Sequence, residues 1–153
     1  MVQVKKMAFS TDFSENADQA FDLAFDLAKK YGARLFLVHV VPPLVFPSPV
    51  MEEFISEQAN YQFLEQVIQR SMEQIESTYI NRMGGYGNHQ IRVLSGHPAS
   101  ELLNFIDQEQ LDLLVMGTHG FTGLAHFFLG STAEKVVRRA NCSVLTVRTS
   151  AQK

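Results

Sequence analysis

Leu35-Phe36-Leu37-Val38-His39-Val40-Val41 is an apolar run broken by a single histidine. A strand with one wet face alternates apolar and polar residues. This one does not, which suits a central strand of a parallel sheet covered by helices on both faces. Just upstream, Ala17, Ala20, Phe21, Ala24, Ala28 and Tyr31 recur at helical spacing, with Ser14 placed to cap the start and Gly32 to stop the end. Before that helix, Val2 to Phe9 reads as a first strand ending in the polar turn Ser10-Thr11-Asp12-Phe13-Ser14.

Downstream, four of the five prolines fall between Pro42 and Pro49, which predicts a stiff connector without a regular element. A long helical pattern then runs from Met51 to Met83, with Phe54, Tyr61, Leu64, Ile68, Met72, Ile75 and Tyr79 on one stripe. Its first turns also read as a separate segment, and Gly84, Gly85 and Gly87 end it. Ile91 to Leu94 is a short third strand, and Gly96-His97-Pro98 turns the chain into a helix through Ile106. Leu111 to Met116 is a fourth strand, apolar apart from Asp112; a glycine-rich loop, a helix from Ser131 to Ala140 and a fifth strand, Val144 to Val147, follow. The order βαβαβαβαβ predicts one α/β domain over residues 1–153: a five-stranded parallel sheet with right-handed crossovers and helices on both faces, Rossmann-like in architecture.

Thirteen Lys and Arg against 16 Asp and Glu give a net charge of −3, which disfavours a broad basic face and with it nucleic acid as a partner. The single cysteine, Cys142, excludes an internal disulfide framework or a multi-cysteine metal site and fits a reducing, cytoplasmic location. It reads as a small buried hydrophobe before the last strand. Met7-Ala8-Phe9 is too short for a signal peptide, and Leu35 to Phe46, interrupted by His39, Pro42 and Pro43, falls short of a spanning helix, so no membrane insertion is expected.

In an open parallel sheet, ligands bind beyond the carboxyl ends of the strands. The loop after Met116 stands out there, with Gly117, Gly120, Gly123 and Gly130 leading into Ser131-Thr132. Its glycines let a backbone approach a ligand closely, and Gly130-Ser131-Thr132 opens a helix whose free N–H groups favour anionic oxygens. A phosphate cradle and a loop with glycines merely for its turns both fit that spacing. Neither G-x-x-x-x-G-K-[ST] nor G-x-G-x-x-G after the first strand is present, and the third strand ends in Leu94-Ser95 where a phospho-acceptor domain would need a carboxylate.

Gly117, two residues, Gly120, nine residues, then Gly130-Ser131 resembles the G-2x-G-9x-G-[ST] signature of the universal stress protein family. Thr11 to Ser14, Val38-His39-Val40, Gly96-His97-Pro98 and Met116 to Gly120 resemble further blocks of that family in the same order, over roughly residues 2–148. The resemblance is to the ATP-binding branch and to a fold like that of the adenine nucleotide alpha-hydrolases. It implies ATP with Mg²⁺ or Mn²⁺ as ligand, Asp12 at the adenine and metal side (to the ion directly or through water), and Val40 in the adenine pocket. Met116 and Gly117 would contact adenine and ribose, and Gly120, Gly130, Ser131 and Thr132 would hold phosphates. Ser10 stands where many members carry proline, which removes an apolar wall of the base pocket; Cys142-Ser143 replaces a common Cys-Pro. The family typically dimerises through the last strand, here Val144 to Val147. A nucleotide-responsive regulatory homodimer in stress response is therefore the expectation, with an unidentified regulatory protein as a further partner.

Each of these residues also has a plainer reading. Asp12 could serve only to cap the first helix, Ser131 and Thr132 could be caps alone, and His119 reads as a solvent-exposed loop histidine. His39 reads as a hydrogen-bonded strand-end residue, and the five histidines show no metal spacing. Phe121, Leu124, Phe127, Phe128 and Leu129 either tuck onto the domain or form a partner patch. Fast phosphoryl transfer needs a cation on the phosphates, yet no Lys or Arg lies between Gly117 and Thr132, and Lys135, Arg138 and Arg139 lie beyond it. No catalytic residue is assigned, and slow ATP hydrolysis is the most expected. The alternatives are an ATPase or phosphotransferase completed by a partner, and an interaction module that needs no nucleotide.

Overall fold

The computed structural model describes residues 3–119 and 129–148. Five strands, β1 (Lys6–Thr11), β2 (Arg34–Val41), β3 (His89–Ser95), β4 (Leu113–Gly117) and β5 (Ser143–Val147), form one sheet in the order β3-β2-β1-β4-β5, every pair parallel. Between them run α1 (Glu15–Tyr31), α2 (Pro49–Phe54), α3 (Glu57–Thr78), α4 (Pro98–Glu109) and α5 (Ser131–Arg139).

The two-residue period of the central strands sorts the core into two layers. Met7, Phe9, Leu35, Leu37 and Val115 point to one face, where they meet α1 and the end of α3 through Ala20, Phe21, Ala24, Ile75 and Tyr79. Ala8, Phe36, Val38, Leu114 and Met116 point to the other, against Leu102, Phe105 and Ile106 of α4 and Ala133 and Val136 of α5. Both faces of β2 are thus covered, as its unbroken apolar run requires. The Ser14 side chain caps α1 by accepting from the Ala17 N–H at 3.3 Å, and Gly32 ends it with φ of 63°, a left-handed turn that glycine adopts without strain.

Several boundaries differ from the sequence reading. β1 starts at Lys6 and runs through Thr11, because Ser10 and Thr11 still pair with Val38 and His39 of the longer β2. Val2 lies outside the described residues. At its start the Lys5 and Lys6 N–H groups both donate to the Asp112 carboxylate, at 2.7 and 2.9 Å, which explains the one polar residue in the fourth apolar run. β4 itself starts after Asp112, at Leu113. The proline-rich connector ends in a helix: Ser48 caps α2 and Pro49 opens it, a position where its missing N–H costs nothing.

The long pattern from Met51 to Met83 divides into the end of α2, a break at Ile55-Ser56, α3 and a 3-10 turn over Ile80–Met83. Only its end packs on the sheet. Ile75 and Tyr79 are buried, whereas Phe54 and Tyr61, on the same expected stripe, are 83% and 63% exposed. Arg82 then ties this end to α1 by bonding both Asp18 and Asp22. α4 continues past Ile106 to Glu109 and stops at Gln110, which takes a left-handed φ of 53° without the glycine that would have signalled it. β5 lies outermost, as an edge.

Candidate functional site

The strand order reverses at β1, whose neighbours β2 and β4 lead the chain away in opposite directions. Beyond the carboxyl ends of these strands lies a cleft of about 500 Å³. Ser10 to Asp12, His39, Val40, the segment Met116 to His119, and Gly130 to Ala133 at the start of α5 line it, with Pro98 and Leu102 of α4 on one side. Asp12, Val40, Met116, Gly117, Gly130, Ser131 and Thr132, scattered over the sequence, therefore meet in one cavity. Gly120 lies outside the described residues, as do Phe121, Leu124, Phe127 and Phe128. Leu129 is half-buried against the α4–α5 layer of the core.

One wall is set by the turn after β1. Asp12 Oδ1 accepts from the Ser14 N–H at 3.0 Å and from the Ser14 hydroxyl, so Asp12 buttresses the helix cap that Ser14 makes. Its Oδ2 makes no hydrogen bond among the described residues. Phe13 takes a left-handed φ of 62°, uncommon for a bulky side chain, and its ring lies 4.6 Å from that of His39. Thr11 Oγ1 holds the strained turn by accepting from the Phe13 N–H at 2.9 Å, and it shares a 2.8 Å hydrogen bond with the buried Tyr79 hydroxyl.

His39 Nδ1 lies 2.8 Å from the Thr11 carbonyl oxygen. A carbonyl only accepts, so Nδ1 carries the proton and donates. Burial lowers the His39 pKa below its ordinary 6.5, against the opposing pull of the Thr11 carbonyl and the Asp12 charge. The strand-end reading of this histidine thus fits its surroundings. Val40 and Met116, 7% and 6% exposed, add apolar wall beside it. Ser10 sits in β1 between Val38 and Met116, a polar group at the apolar end of the cleft.

The opposite end is backbone. A Cβ on Gly130 would stand 3.0 Å from the Thr118 carbonyl oxygen, and one on Gly117 would stand 3.2 Å from the Asn16 backbone. No side chain caps α5, and its first helical bond is from Glu134 N–H to the Gly130 carbonyl. The N–H groups of Ser131, Thr132 and Ala133 therefore have no partner within the helix, and the helix dipole adds positive potential there. Thr118 fixes this end: its carbonyl accepts from the Gly130 N–H at 2.7 Å, and its N–H donates to the Val147 carbonyl of β5 at 3.0 Å. Asn16 Nδ2 donates to the His119 carbonyl at 3.2 Å. Asn16 and Thr118 were not legible as site residues, since both act through backbone contacts that no spacing announces.

His119 departs from the solvent-exposed reading. Its Nδ1 pairs with Thr118 Oγ1 at 2.9 Å, and its Nε2 is buried without a hydrogen-bond partner among the described residues. A buried unpaired nitrogen is costly, which singles this side chain out among those lining the cleft. The cleft thus fits a ligand with one apolar, aromatic-sized end and one anionic end. No cluster of three potential metal ligands occurs among the described residues, so a divalent ion would rest on Asp12 and on the ligand's own oxygens. Cys142, half-buried beside the last strand, has its thiol pKa pushed up by burial and takes no part in the cleft.

Residues 3–148 match the model of the universal stress protein family. Universal stress protein MJ0531 of Methanocaldococcus jannaschii is 33% identical, across 94% of this chain and 82% of its own. A universal stress protein of Thermus aquaticus is also 33% identical, across 94% of this chain and 98% of its own. Among solved structures, hypothetical protein MJ0577 superposes with a TM-score of 0.77 at 26% identity, covering 99% of this chain and 100% of that one. A universal stress protein solved in complex with cAMP gives a TM-score of 0.63 at 26% identity, over 97% of this chain and 100% of that one.

Proposed function

The chain belongs to the universal stress protein family, and on that premise we propose that its cleft binds an adenine nucleotide, ATP with Mg²⁺ in first place. The observation that carries the reading is the uncapped α5 N-terminus beside Gly117 and Gly130 in one cleft, a backbone cradle whose close packing against Asn16 and Thr118 leaves little room for a Cβ at either glycine. Gly130, Ser131 and Thr132 would hold phosphate oxygens through N–H groups and hydroxyls. Gly120, in the same signature, would add a further close approach. Val40 and Met116 would cover the base, while Asp12 would meet the divalent ion directly or through water. The ion would neutralise phosphate charge that the cleft itself does not, because no Lys or Arg lines it among the described residues.

That lack of a cation favours holding the nucleotide over turning it over rapidly. The protein is read as a nucleotide-responsive regulator in stress response, a homodimer paired through β5, with hydrolysis at most slow. A related universal stress protein was solved with cAMP bound, which supports an adenine nucleotide and widens the choice of phosphate arrangement. The test is to denature freshly purified protein and identify released nucleotides by mass spectrometry. Adenine nucleotide near one per chain is expected. Its absence, together with no binding by stripped protein of ATP, ADP, AMP or cAMP, would overturn the proposal.

A further inference from the structure

No residue between Pro42 and Arg70 is buried, although α2 and the first half of α3 lie in this span. Both helices are properly begun, with Ser48 and Ser56 side chains accepting from the Met51 and Ala59 N–H groups at 3.3 and 3.1 Å. Most side chains of α2 and of the first turns of α3 nevertheless stay exposed. Val45, Phe54, Tyr61 and Val50 are 92%, 83%, 63% and 60% exposed, and Met51 and Phe63 about half. Single exposed hydrophobes are ordinary, but a concentration of large ones over the connector, α2 and the first turns of α3 marks a surface that something covers.

Charge decides what covers it. Glu52, Glu53, Glu57 and Glu65 are interspersed with these residues, and no Lys, Arg or His occurs from Leu44 to Gln69. None of the four carboxylates is ion-paired among the described residues. A second copy docking through the same face would set glutamates against glutamates, and an anionic lipid surface would repel them. An amphipathic helix with Lys or Arg flanking its apolar stripe would bury the aromatic and aliphatic side chains while its cations reached the carboxylates. We infer that the α2–α3 face docks a cationic amphipathic helix of a partner protein. The face contributes no residue to the nucleotide cleft, so this inference stands apart from the nucleotide reading.

The test uses the full chain and a fluorescent synthetic helix of about 18 residues built from Leu and Lys, long enough for five turns, beside a counterpart with Glu in place of Lys. Saturable binding of the Lys peptide is expected, weakening with added salt. Met51→Ser with Phe54→Ser, and separately Glu52→Lys with Glu53→Lys, should each weaken it at least about tenfold. Asp26→Asn on α1 should leave it unchanged, and all variants should retain the wild-type circular dichroism. Wild-type affinity in either double variant would overturn the inference. So would equal binding of the Glu peptide, adsorption to phosphatidylglycerol vesicles that Phe54→Ser abolishes, or a dimer that Phe54→Ser dissociates.

Discussion

Gly130 has φ of −59°, a geometry open to any residue, so its missing side chain serves close approach and not conformation. Gly130→Val should therefore keep its helix start, but its Cβ would press on the Thr118 carbonyl oxygen at 3.0 Å, so the melting temperature should fall by about 3 °C or more. It should lose at least about thirtyfold in nucleotide affinity, about 2 kcal/mol, because the side chain pushes the Thr118 backbone away from the start of α5 and deforms the phosphate cradle. Calorimetric titration beside thermal melting separates these effects, and unchanged affinity would refute the cradle. His39 carries a second prediction. Its folded-state pKa lies below 6.5, so the unfolded chain takes up this proton first as pH falls. Stability should decline as pH drops below about 6.5 and be fully present above it. In His39→Asn, urea midpoints measured across that range should lose this part of the decline, and an undiminished decline would contradict it. Gly117, Gly130, Ser131 and Thr132 were legible because glycine spacing and a cap-like Ser-Thr pair encode backbone approach directly, whereas Asp12, Val40 and Met116 were reached only through the family resemblance. The buried Nε2 of His119 was not legible, since burial is a property of the fold that a loop sequence does not carry.

At the scale of elements, β2 was legible because full burial leaves an unbroken apolar run, and α1 because Ser14 and Gly32 mark both its ends. The Met51–Met83 helix misled for an equally physical reason. Amphipathic spacing reports that a face is fit to be covered, not that this domain covers it, and Phe54 and Tyr61 stay exposed. The starts of β1 and β4 slipped because Asp112 substitutes a side-chain carboxylate for ladder bonds, satisfying the Lys5 and Lys6 N–H groups. Those two bonds, Lys6 first, lower the Asp112 pKa below 3.8, so its stabilisation is present above that value and disappears as pH falls through the lowered one. Asp112→Asn should cost about 1 kcal/mol near neutral pH, the site being exposed to solvent. The gap between variant and wild type in chemical denaturation should close under strong acid. A gap independent of pH would show that the carboxylate's charge is not what matters there.

The whole molecule has one edge aligned with the cleft. The Val147 carbonyl accepts from the Thr118 N–H and the Ser143 N–H donates to the Asp112 carbonyl, so odd-numbered residues of β5 bond inward to β4. Val144 and Thr146 accordingly turn their N–H and C=O groups outward, free to pair with another chain. Thr146→Pro removes one outward N–H and leaves the β4 ladder intact. If the dimer forms through β5, sedimentation should show wild type as a dimer and this variant as a monomer with unchanged circular dichroism. A Thr146→Pro dimer of wild-type strength would place the interface elsewhere. Because Thr118 bonds both Gly130 and Val147, the floor of the cleft and the pairing edge meet at one residue, through its two flanking peptide groups. The central claim, an adenine nucleotide in that cleft, is tested most directly by titrating nucleotide-stripped protein with Mg²⁺-ATP in a calorimeter. One saturable site per chain with micromolar affinity, about −8 kcal/mol, is expected. No heat, and no rise in melting temperature at millimolar ATP, would contradict it.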